Sequence, residues 1–520
     1  MKKTTALLLM SMSTFAYSQS ISLQNGDFVK GEFTVTDKDG ADLAIVFADK
    51  SERWLLQNVV GKKEFVFEAE QTGTADFVIY PSKAEKTEKA EKAEKAETAH
   101  YQIQILQQIP VAEQQALPEK YLSPTIQQLA EQLTKQNKAA RLDEFWQKIT
   151  QQGLPLIEPV ENSNQSIVTF LWRGAKHNVW LWGSPSREDH HDRLEHLFGS
   201  DIWFKSYQLP NDSLVSYGFA PDVPSLPVNQ GEQRRAILAT LQADPFNPNT
   251  YPAKPKYPQD RFSYVSALKL KNTPQSPWLK PQNAPQGKLQ THQFHSQILA
   301  NHRRVQIYLP AHFEPNNPDL RLLFLFDGTD YIDKVPTPMI LDNLIAQGKI
   351  PPTVAVFIDN PTTQARRAEL PPNPDFAKMI ATELYPWVSQ QLGIKIAVKH
   401  TALAGSSFGG LATAYIANQY PDIFGNGLIL SGSFWWKDPT DSPQFNNAMA
   451  HLYASQATKN LHFFISAGIY EQTILNSSRH FKDVLMAKNY PVIYKEYASE
   501  HGYFSWQTIL PEGLLALFGQ

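Results

Sequence analysis

Three hydrophobic rhythms follow one another along the chain. From Ile21 to Tyr80 apolar and polar residues alternate, as in Glu32-Phe33-Thr34-Val35-Thr36 and Phe65-Val66-Phe67-Glu68, with turns supplied by Asn25-Gly26 and Asp39-Gly40. A period of two broken by turn dipeptides predicts a small antiparallel β-sandwich over residues 19–112. Within it, residues 83–98 repeat an E-K-A/T triplet that sets Glu85, Glu88 and Glu91 four positions ahead of Lys89, Lys92 and Lys95. That spacing favours a solvated, partly helical spacer. The alternation resumes at Tyr101-Gln102-Ile103-Gln104-Ile105, so the run is either a linker or an extended hairpin inside the sandwich.

The second part, residues 113–290, begins with a helical period through Ile126, Leu129 and Leu133 and then Phe145-Trp146 and Ile149. Short aromatic segments follow at Ser166 to Trp172, Val179 to Trp182, Ile202 to Tyr207 and Leu214 to Phe219, which predicts a second β-sandwich. Asp244 to Pro285 is Pro-rich and reads as loop. In the third part, residues 291–520, short apolar runs at Leu322 to Phe326, Val354 to Ile358, Ala402 to Ala404, Leu428 to Leu430, Phe463 to Ile465 and Val492 to Tyr494 read as strands. Amphipathic stretches at Asp375 to Leu392 and Gly409 to Tyr420 read as helices between them. Strand and helix in alternation predict an α/β domain whose mostly parallel sheet is covered on both faces.

Composition narrows the chemistry. Across 520 residues, 42% are hydrophobic and 19% charged, which is globular. The 48 Lys and Arg nearly cancel the 51 Asp and Glu, leaving a net charge of −3 and no basic surplus for a nucleic acid partner. With no cysteine, disulfides, a thiol nucleophile and thiolate metal sites are excluded, so covalent chemistry falls to Ser, Thr, Lys or a carboxylate. Glu188-Asp189-His190-His191 lacks a defined ligand spacing and reads as a hydrated loop, and no metal site is expected. Lys2 and Lys3, the apolar run Ala6 to Met12 and the small-x-small site Ala16-Tyr17-Ser18 read as a secretory signal peptide over residues 1–18. The run is shorter than the ~20 apolar residues that span a bilayer, and no later stretch is long enough, so the expected location is the periplasm or outside the cell.

Gly405-Ser406-Ser407-Phe408-Gly409 is a G-x-S-x-G sequence between a predicted strand and a predicted helix. In that context it is a nucleophile elbow of the α/β-hydrolase type, a tight turn that lifts the Ser407 hydroxyl over the sheet at a helix N-terminus. The same architecture orders its partners as nucleophile, acid, histidine, each after a later strand. Glu471 lies just past Phe463 to Ile465, and His501 just past Pro491 to Tyr497. Asp438 and Asp441, after an earlier strand, are rival acids, and His480 is a rival histidine in a helical, solvated context. One oxyanion donor is expected from the Phe408 N–H and a second from Gly328 or Thr329, after the strand Leu322 to Phe326.

Taken together, these segments resemble the enterochelin (ferric enterobactin) esterases. Ala404 to Leu411, Ser431-Gly432-Ser433-Phe434-Trp435-Trp436 and Ala467-Gly468-Ile469-Tyr470-Glu471 are similar to that family's nucleophile, aromatic and acid segments. Asp359, Arg366, Glu369 and Asn373-Pro374-Asp375-Phe376 resemble the segment ahead of the nucleophile, while Val168 to Arg173 and Gly199 to Trp203 resemble the family's N-terminal sandwich. The resemblance covers residues 118–520 and implies hydrolysis of the ester bonds of a tris-catecholate trilactone siderophore. Iron would enter only within the substrate, and no cofactor is implied. The chemistry of such an anionic, aromatic substrate makes Arg366 a candidate partner for catecholate oxygens and Trp435, Trp436 and Trp506 candidates to stack on the rings, with core packing the alternative for the tryptophans. Around the histidine the chain departs from the family, with Ser499-Glu500 where glycines are usual, Gly502 where an acidic residue is usual, and Gln507 where Arg is common. These changes keep open another siderophore, a carboxylesterase of feruloyl or other small esters, or a non-catalytic siderophore-binding protein.

Overall fold

The computed structural model describes residues 18–82, 100–111, 114, 121–133, 138–183, 185–186, 191–224, 230–437 and 447–519. Residues 1–17 of the signal segment, the charged run, residues 188–190, Asp438 and Asp441 lie outside them. The chain divides into two compact units, residues 1–120 and 121–520.

The first unit is a sandwich of antiparallel sheets. One orders the strands Ser18–Leu23, Gly73–Pro81, Ala41–Val46 and Glu52–Val59, the other Gly61–Glu68, Phe28–Val35 and Tyr101–Ile109. Phe28–Val35 buries every second residue, as its sequence alternation requires. Val29, Phe33, Leu43, Phe65 and Phe77 fill the space between the sheets. Because Tyr101–Ile109 pairs along Phe28–Val35, the charged run joins two strands of one sandwich and is an insertion rather than a linker.

The second unit opens with helices Pro124–Leu133 and Lys138–Gln152. A sandwich follows, with a five-stranded sheet (His191–Arg193, Val179–Gly183, Leu214–Pro221, Val265–Lys269, Thr250–Tyr251) and a four-stranded one (Glu195–His196, Ile202–Pro210, Gln165–Arg173, Leu156–Pro159). The Pro-rich stretch expected to be loop in fact holds Val265–Lys269 and Thr250–Tyr251. These strands are too short for periodicity to rise above their proline-rich flanks.

The remaining sheet has eight strands: β1 (Lys288–Ser296), β2 (Asn301–Leu309), β3 (Arg321–Phe326), β4 (Thr353–Ile358), β5 (Thr401–Ser406), β6 (Asn426–Leu430), β7 (His462–Gly468) and β8 (Val492–Tyr497), in the order β1-β2-β4-β3-β5-β6-β7-β8. From β4 to β8 all neighbours are parallel. The antiparallel β1–β2 hairpin was not expected from the sequence; β1 is the sheet edge and mostly exposed, so its apolar signal is weak. All six residues of β4 are buried, which explains its uninterrupted apolar run. Leu322, Phe324 and Phe326 of β3 point to one face, where the helix α2 (Phe408–Gln419) packs with Leu411 and Ala414. Leu323 and Leu325 point to the other, against Trp506, Ile509, Leu510 and Leu514 of the terminal helix α4 (Tyr503–Phe518). Helix α1 (Thr363–Glu369) follows β4 and helix α3 (Gln472–Ala487) follows β7.

Candidate active site

In a parallel sheet the strands end together, and here four strand ends build one site. Ser406 is in register with Leu430, Leu430 with Ser466, and Gly468 with Tyr497, so the residues after β5, β6, β7 and β8 converge at the carboxyl edge.

Ser407 stands between β5 and α2 with φ 55° and ψ −122°, a conformation that a non-glycine residue holds only when its surroundings enforce it. They do so by clamping its backbone. The Ser407 N–H donates to the carbonyls of Leu430 at 3.0 Å and Ser431 at 3.1 Å, and its own carbonyl accepts from the N–H of Ser433 at 3.0 Å. Gly405 is required at the foot of the turn, since a Cβ there would lie 2.5 Å from the Gly409 carbonyl carbon. The Ser407 and Ser433 hydroxyls are 3.2 Å apart. Phe408 is the first residue of α2, where a backbone N–H has no acceptor within the helix.

Glu471 follows β7 and is 3% exposed. Three donors converge on its carboxylate. One oxygen faces His501 Nδ1, and the other accepts from the Ser431 hydroxyl at 2.8 Å and the Gly468 N–H at 2.5 Å. A carboxylate accepting from Nδ1–H leaves Nε2 as the basic nitrogen of the imidazole. Ser431 also accepts from Trp506 Nε1 at 3.0 Å, and the Trp506 ring meets the His501 ring edge to face at 4.9 Å. One residue, Ser431, thus touches the backbone of Ser407, the carboxylate of Glu471 and the indole of Trp506. His480, the rival histidine, is exposed on α3.

Several expected roles are corrected by this geometry. The Gly328 N–H is already bonded to the Ile358 carbonyl at 3.0 Å, and the Thr329 N–H to Asp359 at 2.8 Å, so neither is available as the second oxyanion donor. Arg366 is held by Asp327 through two bonds, at 2.5 and 2.8 Å. Burial works against its charge, yet the Asp327 carboxylate holds the guanidinium above its ordinary value. Both residues line a polar cleft of about 230 Å³ with Arg304, Thr329, Asp330 and Asp359. Trp506 is 4% exposed and serves the Glu471–His501 pair, so it cannot stack on a substrate ring. Trp436 packs against the sheet core. Trp435, 42% exposed and 6.0 Å from the Phe408 ring, keeps an open aromatic face.

The putative esterase family model matches residues 296–517, and the enterochelin esterase N-terminal model matches residues 167–279. The iron(III) enterobactin esterase of Yersinia enterocolitica is 30% identical over 324 residues, covering 56% of this chain and 87% of the relative. The chain belongs to the enterochelin esterase family. It is a carboxylic-ester hydrolase with an α/β esterase domain. The enterobactin esterase of Shigella flexneri, solved in the presence of enterobactin, aligns with a TM-score of 0.58 and 27% identity over 72% of this chain and 97% of its own. An iron(III) salmochelin esterase of Escherichia coli O6:H1 is 28% identical over 311 residues, 57% of this chain and 73% of the relative. The first unit lies outside both family-model matches.

Sequence reasoning missed the parts played by Ser431 and Ser433. Their signal was positional: each lies just past β6, the strand beside the nucleophile strand. Without strand order a Ser-Gly-Ser turn carries no such meaning.

Proposed function

We propose that this chain is a periplasmic serine esterase that opens the ester bonds of a ferric catecholate siderophore, with Ser407, Glu471 and His501 as its catalytic residues. The observation that carries the mechanism is the pairing of His501 Nδ1 with the buried Glu471 carboxylate, beside a serine held in a strained elbow through Ser431. His501 Nε2 takes the Ser407 proton as the oxygen attacks the ester carbonyl, and the imidazolium is stabilised by Glu471. The Phe408 N–H and the positive end of α2 face the developing oxyanion. The imidazolium then protonates the leaving alcohol, and water repeats the sequence on the acyl-enzyme. The substrate class is supported by the relatives, enterobactin and salmochelin esterases, and by the exposed ring of Trp435. Export to the periplasm is supported by Lys2, Lys3 and the apolar run that follows; among the described residues no helix is long and apolar enough to cross a membrane.

A second reading, hydrolysis of a different small ester by the same residues, is favoured by one observation: Asp327 takes the Nε and Nη2 donors of Arg366, leaving only part of the guanidinium to meet catecholate oxygens. A chromatographic time course with ferric and iron-free enterobactin, run beside Ser407→Ala, separates the two. Linear trimer, dimer and monomer formed by the unmutated protein alone support the siderophore esterase. Cleavage of a nitrophenyl ester without cleavage of enterobactin moves the substrate elsewhere, and hydrolysis surviving in Ser407→Ala refutes the serine mechanism.

A further inference from the structure

Glu500 stands where the family resemblance leads one to expect glycine, and the mechanism above does not use it. Its carboxyl is buried, 6% exposed, and immediately precedes the candidate base His501. It points into the second sandwich. One carboxyl oxygen accepts from both the backbone N–H of Ser216, at 3.1 Å, and the Ser216 hydroxyl, at 2.7 Å. Ser216 lies in the middle of the strand Leu214–Pro221, 284 positions away in sequence.

Two glycines make room for this carboxyl. Gly183, at φ +72°, ends the neighbouring strand Val179–Gly183; a Cβ there would come within 2.5 Å of the Ser216 carbonyl oxygen and 3.3 Å of Glu500 Oε2. A Cβ on Gly502 would meet Glu500 Oε1 at 2.8 Å. The surrounding seam is bonded on both sides. The Leu214 N–H donates to the Ala498 carbonyl at 2.8 Å, and the Ser213 hydroxyl lies 2.6 Å from the Tyr470 hydroxyl. Tyr470 and Ala498 sit in the sandwich's own core, with Val168, Val215 and Phe219. The loops bearing Glu471 and His501 are therefore plugged into the sandwich.

We propose that Glu500 is a positioning residue for His501, through which the sandwich strand Leu214–Pro221 sets the pH at which the imidazole becomes available as a base. The inference rests on the reading of His501 as the general base. Among the described residues, the charged and titratable groups facing Glu500 are His501, Glu471 and Tyr251. When ionised, Glu500 is a second negative charge, besides Glu471, that favours the imidazolium. Burial opposes that ionisation, and the Ser216 donors and the His501 charge favour it, with the carboxyl held at about 7. Its charge is thus in play at neutral pH. Removing it makes His501 less basic, so the enzyme should stay active to lower pH. Removing the Ser216 hydroxyl takes away a donor that stabilises the carboxylate, and acts more weakly in the same direction.

The test is the pH profile of kcat/KM on a nitrophenyl ester for the full chain, Glu500→Gln and Ser216→Ala, with His501 followed in parallel by NMR of 13C-labelled histidine, its signal assigned with His501→Gln. Gln keeps the shape and the acceptor facing Ser216. The acid limb and the NMR titration of His501 should both move down by roughly 0.1–0.3 pH unit in Glu500→Gln, because a carboxyl held at about 7 is only partly ionised on that limb, and by less in Ser216→Ala. An unmoved His501 titration, or a uniform loss of activity at every pH with the limb unchanged, overturns the proposal and leaves Glu500 a packing residue. A shifted His501 titration in a protein without esterase activity sustains the coupling and refutes the serine esterase reading instead.

Discussion

Ser431→Ala isolates the residue that ties the site together. The Ser431 side chain is buried, and its hydroxyl both donates to Glu471 at 2.8 Å and accepts from Trp506 Nε1 at 3.0 Å. Alanine removes both bonds and leaves the indole N–H buried without that acceptor, at a cost of about 1–3 kcal/mol. Glu471 keeps the Gly468 and His501 donors but loses a hydrogen bond to a charged group, a further ~1.5–3 kcal/mol. Because the two effects share one hydroxyl they overlap, and a total of roughly 2–4 kcal/mol is expected in urea unfolding followed by circular dichroism. A mutant cycle separates the parts. Trp506→Phe alone loses packing volume and the N–H bond; in the Ser431→Ala background it also removes the orphaned donor, so its cost should be smaller there by about 1–2 kcal/mol. Ser431→Ala should also lower kcat about tenfold, the equivalent of ~1.4 kcal/mol of weaker hold on Glu471. Costs of Trp506→Phe equal in the two backgrounds to within about 0.5 kcal/mol would refute the claim that this hydroxyl is what the indole bonds.

Four other outcomes follow from named contacts. Glu500 is held at about 7 against an ordinary 4.5, so the native state retains a proton that the unfolded chain has lost; its contribution is full below 4.5 and disappears as pH rises to about 7. Glu500→Gln, neutral throughout, should therefore gain stability relative to the unmutated protein between pH 5 and pH 8, as thermal midpoints will show. Gly405→Ala drives a Cβ to 2.5 Å from the Gly409 backbone, and should abolish ester hydrolysis by displacing Ser407, with unaltered activity as the contrary result. Glu369→Ala strands Arg303, whose side chain is fully buried and paired with it at 3.0 Å, for a loss of about 3–5 kcal/mol in denaturant titration. Trp435→Ala should raise KM for an aromatic ester roughly 3- to 10-fold and leave kcat nearly unchanged, since an exposed stacking ring contributes about 0.5–1.5 kcal/mol to binding.

The strands of the α/β domain were legible because most are buried on both faces, and a strand with no wet side must be written as an apolar run. The elbow was legible because its backbone demands glycine at Gly405 whatever the neighbours are. The order of Ser407, Glu471 and His501 was legible because each follows its own strand. The β1–β2 hairpin was not, because an edge strand is largely wet; nor was Val265–Lys269, because five residues amid prolines carry too little period. Contacts between strand ends were invisible for a different reason. Which side chains meet depends on strand order, and the order β1-β2-β4-β3-β5-β6-β7-β8 is set by packing and crossover, not by adjacency in the chain. So the sequence by itself determined which residues had the chemistry to act. Only the tertiary structure decided that the Gly328 and Thr329 N–H groups are spent inside the fold, that Arg366 belongs to Asp327 and Trp506 to Ser431, and that Glu500 reaches Ser216, because hydrogen-bond donors are allotted by distance in space.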